Sequence, residues 1–110
     1  MKIREYLYLS GPMTGYKDKN FPSFTEAARL LRAKGYRVVN PAELDETIPK
    51  PTWEECLRRD IRAMMVCKGV ATLPGWKKSK GANLETYIAR QLKWPIHKYQ
   101  YWVKKSRRIK

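Results

Sequence analysis

Apolar and polar residues alternate from Ile3 to Ser10 and stop at Gly11-Pro12, the period-two pattern of a strand ended by a turn. Residues 11–20 form a polar loop punctuated by glycine. The period then lengthens: Phe24, Ala27, Ala28 and Leu31 recur at helical spacing, with Ser23 and Glu26 spaced as a capping box. Gly35 closes this helix, and Tyr36-Arg37-Val38-Val39 predicts a short second strand ending at Asn40-Pro41. Residues 42–51 read as an acidic loop bounded by proline. Thr52 and Glu55 repeat the capping-box spacing and open a helix to about Cys67, its stripe being Trp53, Cys56, Leu57, Ile61, Met64 and Met65. Val70–Leu73 predicts a buried strand. A third helix follows from about Gly81 to Leu92, with Leu84, Ile88, Ala89 and Leu92 facing inward. Pro95-Ile96-His97 offers a fourth short strand, and residues 98–110 a basic, aromatic tail.

Strands alternating with helices imply βαβ units, hence an α/β fold in which a small parallel sheet is covered on both faces. With 110 residues, of which 43% are hydrophobic, the chain suffices for one domain with a real core. We place that domain at 1–97 and the tail at 98–110. No stretch approaches the roughly 20 apolar residues of a membrane span, so no membrane partner is expected. The first residues lack the pattern of a secretory signal. Two cysteines, Cys56 and Cys67, and a single histidine, His97, do not make a disulfide framework or a zinc site. The expectation is a cytoplasmic, reduced protein without metal or cofactor.

Two carboxylates break the pattern. Asp60 falls inside the second helix's apolar stripe, between Cys56, Leu57 and Met64. Glu85 does the same on the third helix, ahead of Ile88, Ala89 and Leu92. A carboxylate facing a core is costly unless something compensates it. Burial against one of the many basic residues is one explanation. The other is a shared cleft, because open parallel sheets bind ligands beyond the carboxyl ends of their strands. Paired carboxylates in one cleft are the tools of glycosidic-bond cleavage.

Two loops border such a cleft. Ser10-Gly11-Pro12-Met13 leaves the first strand, where glycine lets backbone N–H groups approach a ligand, or where it simply makes a tight turn. Ser79, Gly81 and Asn83 stand at the mouth of the third helix; a hydroxyl and free N–H groups there suit a phosphate, and equally suit an N-cap.

Together these segments resemble the nucleoside 2-deoxyribosyltransferase-like superfamily, most closely its short phage and prophage branch. The motifs that carry the resemblance are Tyr-Leu-Ser-Gly-Pro-Met-Thr-Gly (8–15), Val-Val-Asn-Pro-Ala (38–42), Arg-Arg-Asp-Ile (58–61) and Ser-x-Gly-Ala-x-x-Glu (79–85), which span about residues 6–97. The resemblance implies a flavodoxin-like or Rossmann-like three-layer sandwich of four strands, or five where relatives add one after Ile96. It implies cleavage or transfer at an N-glycosidic bond. By position Glu85 matches the nucleophile, Asp60 the acid that protonates or holds the departing base, and Tyr8 the residue that orients the nucleophile. Ser10, Gly11, Pro12, Met13, Ser79, Gly81 and Asn83 match the substrate-binding segments, and Ser79 tilts the substrate towards a (deoxy)nucleoside 5′-monophosphate. Relatives are dimers or larger, so a homodimer or higher oligomer is expected.

Charge adds a competing reading. Lys and Arg number 24 against 10 Asp and Glu, a net +14, and no acid follows Glu85. Such an excess predicts an anionic partner. In the tail His97, Tyr99, Tyr101 and Trp102 interleave with cations, which suits a nucleic-acid-binding module. The same residues suit a last helix that packs its aromatics on the sheet. A nucleotide-binding protein without turnover is the third alternative.

Overall fold

Four parallel strands carry the fold: β1 (Tyr6–Ser10), β2 (Arg37–Val39), β3 (Gly69–Thr72) and β4 (Ile96–Lys98). They lie in the order β2-β1-β3-β4 in the computed structural model, which describes residues 6–44 and 52–106. The register pairs Tyr8 with Val39 on one side, and Tyr8 with Val70 and Ser10 with Thr72 on the other. The helices are α1 (Phe21–Ala33), a single turn α2 (Pro41–Leu44), α3 (Trp53–Met64), α4 (Lys80–Gln91) and α5 (Tyr99–Ser106). This is a small flavodoxin-like sandwich, the α/β architecture that the alternation of elements predicts. Among the described residues no helix is long and apolar enough to cross a membrane.

The alternation along β1 divides the core. Leu7 and Leu9 point to one face, where Phe24, Ala27, Ala28 and Leu31 of α1 pack with Trp102 of α5. Tyr8 points to the other face, with Val70, Met64, Cys67 and Ala89. One strand thus serves two cores, as a doubly covered sheet requires.

Several element boundaries differ from the sequence expectation. Residues 3–5 of the first strand, 45–51 of the acidic loop and 107–110 of the tail lie outside the described residues. Helix α1 begins at Phe21 and is entered from Asn20 in the left-handed region (φ 63), so Ser23 and Glu26 form no capping box. Pro22 in the first turn fixes the entry, and Glu26 pairs instead with Arg29 at 2.7 Å. The same spacing at Thr52 and Glu55 does form a box: Thr52 N–H donates to Glu55 Oε1 at 2.9 Å, and Glu55 N–H donates to Thr52 Oγ1 at 3.1 Å.

The inward faces of α3 and α4 are also rotated from those expected. Asp60 and Met64 are the buried residues of α3, while Trp53 and Met65 are 46% and 48% exposed. On α4 the buried set is Ala82, Glu85, Thr86 and Ala89, with Leu84 and Leu92 exposed. The physical reason is the sheet surface beneath. Tyr8 and Ser10 present hydroxyls there, so the helix turns its carboxylate and small residues towards them. The tail is not an appendage. Its aromatic half is α5, with Trp102 buried, the indole N–H donating to Val70 O at 2.9 Å, and the Tyr36 hydroxyl donating to Trp102 O at 3.1 Å.

Candidate active site

Residues two apart on a strand share a face, so Tyr8 and Ser10 stand side by side on the α4 side of β1, both completely buried. Helix α4 crosses above them and lowers Glu85 between the two hydroxyls. Tyr8 Oη donates to Glu85 Oε2 at 2.9 Å, and Ser10 Oγ donates to Oε1 at 2.7 Å. Each carboxylate oxygen therefore has its own donor, and the side chain has no freedom to turn. Glu85 is 5% exposed. Burial is the largest influence on its acidity and pushes it up to about 7; the nearby Asp60 charge acts the same way, against the two hydroxyl bonds and Arg59. Tyr8 moves well above its ordinary value, first through burial and then through the Glu85 charge, so it stays a proton donor.

Asp60 is 8% exposed in the middle of α3 and is held by its sequence neighbour. Adjacent helical residues point well apart, so Arg59 must fold back along the helix to reach it. It does so with Nε at 2.9 Å and a terminal nitrogen at 2.8 Å from Oδ1, while its other terminal nitrogen donates to Leu44 O at 2.9 Å. Arg59 thereby ties α3 to the end of α2 and supplies the counter-charge for Asp60.

Glu85 and Asp60 line one cavity of about 390 Å³. Its walls come from Gly11, Met13 and Tyr16 after β1, Pro41 after β2, Trp53 and Leu57 of α3, and Ser79, Gly81 and Ala82 at the start of α4. It lies beyond the carboxyl ends of three strands, at the place where strand order reverses in this topology. Lys80 Nζ sits 4.7 Å from the Trp53 ring centre, joining the first turns of α3 and α4 at the mouth. Among the described residues no group of three His, Cys, Asp or Glu could hold a metal ion.

The expected site residues divide into two sets. Glu85, Asp60, Gly11, Met13, Ser79 and Gly81 line the cavity, and Tyr8 supports Glu85 from below. Ser10, Pro12 and Asn83 are not on the wall. Ser10 was expected to touch the substrate; its hydroxyl instead lies under Glu85. Pro12 is buried, and its carbonyl accepts from Asn20 Nδ2 at 2.9 Å, which pins the loop after β1. Asn83 is exposed and donates to Lys77 O and Ser79 O, both at 2.8 Å, bracing the loop before α4. Ser79 is the N-cap of α4, accepting from Ala82 N–H at 3.2 Å, and it also reaches the cavity wall. At Gly11 an added Cβ would meet Leu73 Cβ at 2.8 Å, so this glycine lets the ends of β1 and β3 approach.

Three contributors were missed in the sequence. Trp53 was read as core, yet its place just after a helix N-cap already put it at the strand-end side of the fold. Tyr16 lies in a loop with no periodicity to betray it. Arg59 stood in a quoted motif without a role, because helical spacing does not point a residue at its immediate neighbour.

Over residues 5–98 the chain matches the family described as a domain of unknown function, DUF4406, and it belongs to that family. No curated protein matches it.

Proposed function

We propose that this DUF4406 family member breaks an N-glycosidic bond, hydrolysing or transferring the sugar of a nucleoside or, more specifically, a (deoxy)nucleoside 5′-monophosphate. The observation that carries the reading is Glu85, buried at the floor of a cavity with a hydroxyl on each oxygen. A structural carboxylate so deep would be expected to have a cation against it; this one has two neutral donors and an open cavity in front. That arrangement suits a nucleophile, which must be aimed and must keep its charge available. The resemblance to the nucleoside 2-deoxyribosyltransferase-like superfamily supports the same assignment.

In this mechanism the Glu85 carboxylate attacks the anomeric carbon as the bond to the base nitrogen breaks. The bonding pair leaves with the base, which takes up a proton. The resulting glycosyl ester is opened by water, or by a second base in a transfer reaction, and Glu85 is released as the carboxylate. Asp60 lines the cavity with Arg59 against its Oδ1, where it would hold the departing base or hand it a proton. A 5′-phosphate is supported by the α4 N-terminus at Ser79 and Gly81, where backbone N–H groups and the helix dipole favour an anion. Exposed Trp53 and Tyr16 offer flat apolar surface for a base.

The test is to incubate the protein with a panel of nucleosides and 5′-nucleotides and to follow free base. Release of base by the native chain, and none by Glu85→Gln with ligand binding retained, is the expected result. Turnover that survives Glu85→Gln would remove the nucleophile from this scheme. Tight binding of a nucleotide without product from the native chain would make the protein a binder and overturn the enzymatic reading.

A further inference from the structure

We infer that the molecule carries, beside the candidate active site, a track for single-stranded nucleic acid formed by the β3–α4 loop, β4 and α5. The inference is independent of the glycosidic reading. It rests on two neighbouring concavities. One, of about 370 Å³, is lined by Trp76, Lys77, Lys78, Lys98 and Gln100 among others. The second, of about 380 Å³, includes Lys98, Tyr99, Gln100, Tyr101 and Lys104. Lys98 and Gln100 line both, so the two hollows adjoin, and the track runs from Trp76 to Lys104.

Its chemistry is cationic and aromatic together. Lys77, Lys78, Lys98 and Lys104 are all exposed, and no carboxylate of a described residue pairs with any of them. The ion pairs in the described structure belong to α1, α2 and α3, so the cations of the track keep their charge for a partner. Tyr101 is 41% exposed and is backed by His97 at a ring distance of 3.9 Å with 29° between the planes, a stacked contact that supports it as a platform. Trp76, half-buried at the other end, offers a second ring. Cations that follow a backbone and rings that accept any base are the ingredients of sequence-tolerant single-strand binding. An anionic membrane fits less well. A helix that lies on a bilayer needs a free apolar face, and on α5 Trp102 is in the core with Tyr99 and Val103 packed against it, which leaves the single ring of Tyr101 exposed and no such face.

The experiment is fluorescence anisotropy of the full chain with a labelled single-stranded oligonucleotide of roughly 15 nucleotides, repeated over a range of salt. Three to five phosphate contacts predict that log K falls against log salt with a slope of roughly −2 to −3.5. Replacing Lys77, Lys98 and Lys104 with alanine together should flatten that slope by about 2. Tyr101→Ala should weaken binding by roughly 5- to 100-fold, and Tyr101→Phe should restore it, because stacking needs the ring and not the hydroxyl. As a control, Lys34, Arg62 and Lys68 lie towards the opposite ends of the strands; alanine at all three should leave affinity within a few-fold of native. The inference is overturned if the control triple weakens binding as much as the track triple, or if Tyr101→Ala binds like the native chain. It is equally overturned if a duplex of the same length, or vesicles of anionic lipid, compete better than the single strand.

Discussion

Glu85 sits where its charge is unwelcome, and the consequence can be followed with pH. Its ordinary value is 4.5 and burial raises it to about 7, so the folded chain holds this proton over a range in which the unfolded chain has lost it. Folding is therefore favoured by the proton, and stability falls as pH rises from about 4.5 to 7. The full loss is roughly 3 kcal/mol, from about 1.4 kcal/mol per pH unit. Glu85→Gln should remove it: equal in stability to the native chain near pH 4, and more stable above pH 7. Denaturant melts of both proteins at the two pH values check this, and a difference independent of pH would contradict it. Catalysis needs the opposite form. Turnover should rise with pH and level off above about 7. Ser10→Ala deletes a hydrogen bond that favours the ionised carboxylate, so its midpoint should move to higher pH; Tyr8→Phe should move it the same way by less. A pH–rate profile for each variant decides it. The two carboxylates were legible in the sequence because each interrupts an apolar stripe. Of the grip on Glu85, Tyr8 was expected only through the family resemblance and Ser10 not at all, since period two puts Tyr8 and Ser10 on one face without saying which helix residue will cross them.

Among the elements, the start of α3 and its capping box were legible to the residue, because Thr52 and Glu55 open a continuous helical pattern; its end at Met64 comes earlier than the expected Cys67. The identical spacing at Ser23 and Glu26 misled, since Pro22 and a left-handed Asn20 start α1 earlier and leave Ser23 inside its first turn. Spacing alone cannot distinguish the two cases; the entering backbone does. The inward face of α4 escaped for a different reason. Its large apolar side chains point to one face, while the surface beneath selects Ala82, Glu85, Thr86 and Ala89. Loop geometry is harder still to read, and it sets the cavity. Gly75 has φ +86, and an added Cβ there would meet the Tyr16 hydroxyl at 2.7 Å. Gly75→Ala should thus destabilise by about 1 kcal/mol from the left-handed backbone. The hydroxyl is the far end of an exposed side chain that can swing away, so the collision adds little and Tyr16→Phe should be close to additive with it. A double-mutant cycle on melting free energies tests it, with a coupling above about 0.5 kcal/mol as the contrary result.

At the scale of the whole molecule, the basic C-terminal segment serves the fold as well as the charge. A domain of 110 residues has about 5–15 kcal/mol of stability, and one helix packed on the sheet accounts for a large part of such a margin. Helix α5 meets α1 across the outer core, and Trp102 completes a cluster with Leu7, Leu9, Tyr36 and Ala71. The sequence left two readings of residues 98–110, a nucleic-acid-binding segment or a helix packed on the sheet, because aromatic and basic residues interleave there. Burial favours the helix: Trp102 is 5% exposed, and its N–H satisfies the carbonyl of Val70 in the middle of β3. Trp102→Ala should then cost about 3–5 kcal/mol, most of the available stability. Trp102→Phe should cost less, since it keeps a ring in the site and loses chiefly the bond to Val70. Removal of residues 99–110 takes away the part of that face's cover that α1 does not supply and should abolish cooperative unfolding. Far-ultraviolet circular dichroism and thermal melts of the three variants make the comparison. If the truncated chain melts like the native one, the outer face of the sheet needs no α5, and the segment reverts to a tail. If Trp102→Ala alone matches the truncation, one indole accounts for most of what the helix contributes.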